Sequence, residues 1–284
     1  MKKVSFLGLG VMGYPMAGHL ASQGYEVTVY NRTTDKARQW CQTYTGTLAE
    51  TPQEAVQQAD LVMMCVGNDD DVRQVGYSAL SAMQSGAVLI DHTTASAQVA
   101  RELYQACLDK QVGFLDAPVS GGQAGAENGQ LTIMVGGDEA VFSQAEAALN
   151  VYARHAQLLG ESGSGQLAKM MNQICIAGIV QGLAEALHFG QQAGLDCAQV
   201  VEVISKGAAQ SWQMENRATT MLAGEYDFGF AVDWMRKDLA IALDEARRNG
   251  STLALTALVD QYYADVQKAG GRRWDTSSLL TRLT

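Results

Sequence analysis

The sequence predicts an α/β chain in which an N-terminal, doubly wound parallel sheet is followed by an all-helical C-terminal domain. Three observations predict it. Short apolar runs alternate with helical patterns through the first half, a glycine-rich turn follows the first run, and strand-like runs stop after Gly163. Alternation of this kind reads as βαβ units, because parallel strands need a crossover, usually a helix, to join them. A chain of 284 residues is about twice an ordinary domain, which leaves room for two cores.

The elements follow in order. Apolar runs at 4–7, 26–30, 60–66, 87–90 and 112–115 are the strands of the first half. Between them, 11–23 and 96–110 space their apolar residues for a one-faced helix. Runs at 131–135 and 156–159 flank a helical pattern at 138–149 and complete the sheet edge. From Gly163 the grammar changes: Leu167, Met170, Met171, Ile174 and Gly178 recur at helical spacing in a stretch ending near Gly194. Four more helical patterns follow at 196–205, 211–222, 233–248 and 253–268, bounded by Gly, Ser or Asp. The domains expected are 1–162 and 163–284, packed together without a long linker, with a ligand cleft between them.

Composition removes several classes. With 47% hydrophobic and 18% charged residues the chain is globular rather than disordered. Its 20 basic against 30 acidic residues, a net charge of -10, give no footprint for nucleic acid or an anionic membrane, so an anionic ligand needs a local positive site. Five scattered cysteines without a CxxC argue against a disulfide framework and a thiolate metal site, and fit a reducing, cytoplasmic setting. Lys2 and Lys3 precede an apolar run as in a secretory signal, but Gly8, Gly10 and Gly13 interrupt it. No apolar run approaches the roughly 18 residues of a membrane span. No metal is expected: His19, His92, His155 and His188 lack ligand spacing, and Asp69-Asp70-Asp71 reads as a solvated loop or helix cap.

The sharpest motif is Gly8-Leu9-Gly10-Val11-Met12-Gly13, placed after a strand and opening a helix. In a Rossmann-type βαβ unit the first glycine permits the tight turn, the second lets a pyrophosphate approach the backbone, and the third lets helix and strand pack closely. The helix N-terminus then offers N–H groups and a favourable dipole to the phosphates. About twenty residues further on, where NAD-binding chains present an acidic residue to the ribose, this chain reads Asn31-Arg32-Thr33. Arg32 suits a 2′-phosphate, with Asn31 and Thr33 as uncharged partners, so NADP is expected. The competing reading is a solvated Arg32 and an enzyme that accepts NAD as well.

The ordered blocks resemble the β-hydroxyacid dehydrogenase family over nearly the whole chain. They are Phe6-Leu-Gly-Leu-Gly-Val-Met-Gly13 with Pro15-Met16-Ala17, Asp116-Ala-Pro-Val-Ser-Gly-Gly122 through Ala126, Gly129 and Gly136-Gly137, Gly163-Ser-Gly-Gln-Leu-Ala-Lys-Met-Met-Asn-Gln173, and Lys237-Asp238-Leu239. The Asn-Arg-Thr step most resembles the NADP-using glyoxylate and succinic semialdehyde reductases. By itself Ser120-Gly121-Gly122 is a turn after Pro118 that can present a hydroxyl and N–H groups to a carboxylate; the resemblance implies that it binds the substrate carboxylate or an adjacent oxygen. Lys169, alone on a helix, is by spacing an ordinary solvated lysine. The resemblance implies instead that it is the proton donor or acceptor, and that Asn172 or Gln173, three and four residues on, orients substrate.

It further implies that Val66, Thr93 and Lys237 contact the cofactor. Trp212, Phe228, Phe230 and Trp234 read as core or pocket-wall aromatics. The expected reaction is reversible hydride transfer between the nicotinamide C4 and the carbonyl carbon of a small semialdehyde or α-keto acid, with Lys169 handling the proton. Two other functions stand beside it: an oxidising 3-hydroxyisobutyrate or serine-type dehydrogenase, and a catalytically silent dinucleotide-sensing scaffold. An imine reductase ranks lower because Lys169 is retained. Homodimers or homotetramers are implied, with much of the contact from the helical domain.

Overall fold

The computed structural model describes residues 2–283. In chain order its elements are β1 Lys3–Leu7, α1 Gly13–Ser22, β2 Glu26–Tyr30, α2 Thr34–Thr43, β3 Thr47–Leu48, α3 Pro52–Val56, β4 Leu61–Met64, α4 Asp69–Leu80, β5 Val88–Asp91, α5 Ala97–Asp109 and β6 Gly113–Asp116. They continue as β7 Val119–Ser120, α6 Gly122–Glu127, β8 Leu131–Gly137, α7 Glu139–Leu149, β9 Ala153–Leu158, α8 Ser164–Gln192, α9 Cys197–Ile204, α10 Trp212–Ala223, α11 Val232–Asn249 and α12 Ala254–Lys268, ending in a 3-10 helix, Thr276–Arg282. The chain divides into two compact units, Met1–Lys169 and Met170–Thr284. This division falls inside α8 rather than in the connection before it, because the first turns of α8 are hydrogen-bonded to the sheet of the first unit.

The first unit is the expected doubly wound domain. Its strands run in the order β3-β2-β1-β4-β5-β6, all parallel, the order of a dinucleotide-binding sheet whose direction of winding reverses beside β1. Beyond β6, β8 joins antiparallel, pairs β7 antiparallel, and carries β9 in parallel. Side chains alternate across the sheet, so each inner strand feeds two cores. On β4, Leu61 and Met63 pack with Val4, Phe6, Val27 and Val29 on one face, while Val62 and Met64 pack with Leu7, Leu89 and Leu103 on the other. That double burial is why these strands are continuous apolar runs.

Several elements escape the sequence pattern. The strands β3 and β7 are two residues long and carry no periodicity. The helix α4 starts where the Asp run stands: Asn68 caps it by accepting from the Asp71 N–H at 2.9 Å, and the three carboxylates fill its first turn, where the helix dipole favours negative charge. Of the two readings of that run, the helix start is the one observed.

The second unit holds the rest of α8 with α9 to α12. Ala177, Val180, Ala184 and Leu187 of α8 pack with Met214, Met221, Met235, Leu239, Val259 and Tyr263. Asp196 and Ser211 cap α9 and α10 by accepting backbone N–H groups, each cap worth about 1 kcal/mol. One correction concerns α8, which by length and composition alone could cross a membrane, contrary to the expectation that no segment would. Its buried polar side chains Gln166, Lys169, Gln173 and Gln181 are those of a helix packed in protein.

Candidate active site

The glycine turn lies at the C-terminal end of β1, where the sheet reverses its winding. Gly8 has φ +100° and donates its N–H to Tyr30 O at 2.8 Å; a Cβ there would lie 2.2 Å from Cys65 O. A Cβ on Gly13 would lie 2.0 Å from Gly8 O. Both glycines are therefore required by the chain's own packing. A Cβ on Gly10 would meet nothing within 4 Å. Neither positive φ nor crowding requires that glycine, and the open space beside it is what close approach of a pyrophosphate needs. The neighbouring helix agrees. At its start Met12 makes no side-chain cap, and α1 has no acidic residue in its first turn, so neither its cap residue nor its first turn compensates this helix N-terminus. These residues fit a dinucleotide pyrophosphate, with Leu9, the exposed Val11 and Met12 forming the turn.

The end of β2 is organised differently from its sequence expectation. Asn31 accepts the Leu9 N–H at 2.8 Å through Oδ1 and donates Nδ2 to Thr33 O at 2.9 Å. Its amide thus ties the glycine turn to the β2–α2 connection. Thr33 is the residue before α2 and makes no side-chain cap. Arg32 reaches the start of α4, with Nη1 3.0 Å from Asp71 Oδ1.

A second group sits at the ends of β4, β5 and β6. The Val66 N–H donates to Thr93 Oγ1 at 2.9 Å, joining two residues that the sequence analysis placed together. Gln166, which the sequence analysis did not single out, joins them to α8: Nε2 donates to Thr93 O at 2.7 Å and Oε1 accepts the Ala95 N–H at 3.0 Å. Asp116, likewise unassigned, accepts the Gly163 N–H at 2.7 Å and the Gln166 N–H at 2.9 Å. A carboxylate from β6 therefore performs the capping that Gly163 lacks a side chain to do. Burial pushes the Asp116 carboxyl up to about 6, opposed by the backbone N–H donors of Gly163, Gln166, its own residue and Gly165. It is charged at neutral pH, where it suits the positive end of α8.

This clamp fixes the turn of α8 that precedes Lys169. Lys169 is 7% exposed, so the solvated-lysine reading fails. Ser120 ends β7, paired with Thr132 of β8, and Gly121 and Gly122 follow with φ +136° and +61°. The turn is thus a built corner between β7 and α6 rather than a loose connection.

In the second unit, Asn172 donates Nδ2 to Gln173 Oε1 at 2.7 Å, and Gln173 donates Nε2 to Asp238 Oδ2 at 2.7 Å. Lys237 Nζ lies 3.2 Å from Asp238 Oδ1. Asp238 gathers three predicted residues into one chain, and both it and Gln173 are buried. Only the long-range fold reveals that role, since Gln173 and Asp238 are 65 positions apart.

Comparison with known proteins places the chain in a family. Residues 3–160 match the family model described as the NAD binding domain of 6-phosphogluconate dehydrogenase, and 163–283 the model described as NAD-binding of NADP-dependent 3-hydroxyisobutyrate dehydrogenase. The chain is 64% identical over its whole length to an uncharacterized oxidoreductase of Shewanella frigidimarina, covering 98% of that protein. It is 31% identical to the 2-hydroxy-3-oxopropionate reductase of Escherichia coli, over 99% of this chain and 97% of that one. Among solved structures, 3-hydroxyisobutyrate dehydrogenase of Mycobacterium tuberculosis with L-serine superposes with a TM-score of 0.92 at 30% identity, over 100% of this chain and 99% of that one. With its strand order, its glycine turn and relatives matched from end to end, this chain is a member of the β-hydroxyacid dehydrogenase family.

Proposed function

We propose that the protein is an NADP-preferring reductase of small semialdehydes or α-keto acids, with glyoxylate and succinic semialdehyde as leading substrates. The bound nicotinamide supplies hydride exchange at the carbonyl carbon. Lys169 supplies the proton: its ammonium donates to the carbonyl oxygen during reduction, and its neutral amine accepts the hydroxyl proton during oxidation. Ser120, Gly121 and Gly122 hold the substrate carboxylate. Asn172 or Gln173, hydrogen-bonded to each other, orients the substrate. Val66, Thr93 and Lys237 serve the cofactor, and Arg32 its 2′-phosphate. The observation that carries this reading is the burial of Lys169 one helical turn after Gln166, whose side chain bonds the Thr93 backbone.

The experiment is a matched NADPH and NADH screen over small carbonyl acids and the corresponding alcohols, run on wild type and Lys169→Ala. The variant is expected to bind NADPH as wild type does and to lose about 10²–10⁴-fold in turnover. Unchanged turnover rejects the role of Lys169, and dinucleotide binding without turnover over the whole panel favours the sensor. A second reading, oxidation of 3-hydroxyisobutyrate or serine, draws support from the L-serine named with the M. tuberculosis structure. Faster alcohol oxidation than carbonyl reduction in the same screen selects it.

Association through α8 belongs to the same proposal. Met171, Cys175, Ile179, Gly182, Ala186 and Phe189 form an exposed apolar stripe along that helix, with Met171 and Phe189 68% and 71% exposed. We assign it to a homodimer or homotetramer contact in a cytoplasmic enzyme. Sedimentation of Phe189→Glu, expected to shift toward monomer, tests it.

A further inference from the structure

The dinucleotide reading leaves open what governs the choice between NADP and NAD, and the structure adds a residue that the sequence motif does not contain. The end of β2 carries no carboxylate, yet one is delivered there from α4. Asp71 is 3.0 Å from Arg32, and the exposures of the two side chains are unequal, 79% for Arg32 and 23% for Asp71. The carboxylate is therefore the fixed member, on a helix turn whose N–H is pinned to Asn68 Oδ1. The guanidinium is the adjustable one.

The neighbouring carboxylates are engaged elsewhere. Asp69 accepts the Ser96 N–H at 2.9 Å and its hydroxyl at 2.5 Å, and Asp70 lies 3.6 Å from Arg73. Asn31 is committed to the glycine turn. At this corner the Arg32 guanidinium is thus held by Asp71.

Resting on that dinucleotide reading, we propose that Asp71 sets cofactor preference by competing with a 2′-phosphate for Arg32. A 2′-phosphate must share the guanidinium with the less exposed carboxylate, and it meets like charge as it arrives. An unphosphorylated ribose instead brings a hydroxyl donor, which Asp71 can accept in place of the missing acidic residue of β2. Arg32 favours NADP and Asp71 favours NAD. An exposed ion pair is weak, so the phosphate can take Arg32 over, at reduced affinity.

The test titrates the full-length protein with NADPH and with NADH by calorimetry, for wild type, Asp71→Asn, Arg32→Ala and the double variant. Asp71→Asn is expected to raise the ratio of NADPH to NADH affinity about two- to fivefold, and Arg32→Ala to lower it. In the Arg32→Ala background the Asp71→Asn shift is expected to fall below half of that, and the shift in the single variant to shrink in 0.5 M salt, a concentration chosen because screening is short-ranged there. An unchanged or lowered ratio in Asp71→Asn overturns the proposal, as does an equal shift without Arg32. Wild type that binds neither dinucleotide overturns the oxidoreductase reading together with it, and that result is read before any variant is compared.

Discussion

Two glycine turns of the first unit look alike in sequence and differ in cause. In the turn after β1, Gly8 and Gly13 are required because backbone oxygens occupy the places of their missing Cβ atoms, while Gly10 has open space and no positive φ. In the turn after β7, Gly122 also has open space, but its φ of +61° already explains it, and Gly121 at φ +136° is explained likewise. The comparison separates glycines that the chain needs for itself from one whose reason lies outside the chain. It makes the first turn a stronger indicator of a ligand than the second, although both belong to motifs of the family.

Substitutions rank the two turns, and the largest effect belongs to the crowded glycines. Gly13→Ala is expected to yield little folded protein, a loss above about 4 kcal/mol, because two backbone segments must separate; urea unfolding or soluble yield measures it. A wild-type-like midpoint would falsify the packing account of this turn.

Next comes the pH dependence of the clamp, a region where Gly136 and Gly165 leave room for Asp116 rather than for a ligand. The folded carboxyl, at about 6, lies above its ordinary 3.8, so the folded state holds this proton more tightly. Its contribution to stability is fully present below about pH 4 and is lost as pH rises through 6, by at most about 3 kcal/mol. In Asp116→Asn this component is absent. The difference between the wild-type and variant stability curves should therefore slope between pH 4 and 6 and be flat above; a flat difference throughout removes the buried-carboxylate account.

The third effect is smaller and more selective. Gly10→Ala is expected to leave the unfolding midpoint in place and to weaken NADPH binding about tenfold, roughly 1.4 kcal/mol, since the new methyl occupies only space that the pyrophosphate needs. Equal NADPH affinity in the variant would return Gly10 to the ordinary glycines of a turn. Smallest of the four is Gly122→Ala, where a side chain is forced to positive φ at a cost of about 1 kcal/mol in stability with NADPH affinity unchanged. Loss of NADPH binding there would erase the distinction between the turns.

The legibility of the sequence follows the range of the interactions. Doubly buried strands such as β4 are plain as apolar runs, and capped helices such as α9 and α10 announce their starts with Asp196 and Ser211. The polar α2, Thr34–Thr43, buries only Ala37 and Trp40, too little apolar content to stand out among its charged and amide residues. The glycine turn is legible because its chemistry is contained in six consecutive residues. Asp116 and Gln166 are not, because the bonds that give them their roles span 47 to 73 positions. Asn31 shows the intermediate case: its position is found from sequence, whereas its amide serves the glycine turn 22 residues earlier.

The borrowed cap of α8 also bears on how the chain acquires its structure. Local propensity can start this helix anywhere along its length, but the carboxylate that finishes its beginning comes from a strand 47 positions earlier. That end must wait for β6 to enter the sheet, because the intervening loop has to close before the cap exists. The stretch just ahead of Lys169 is accordingly finished only once β6 is in the sheet, and the mature arrangement around that amine doubles as a sign that this strand is in place.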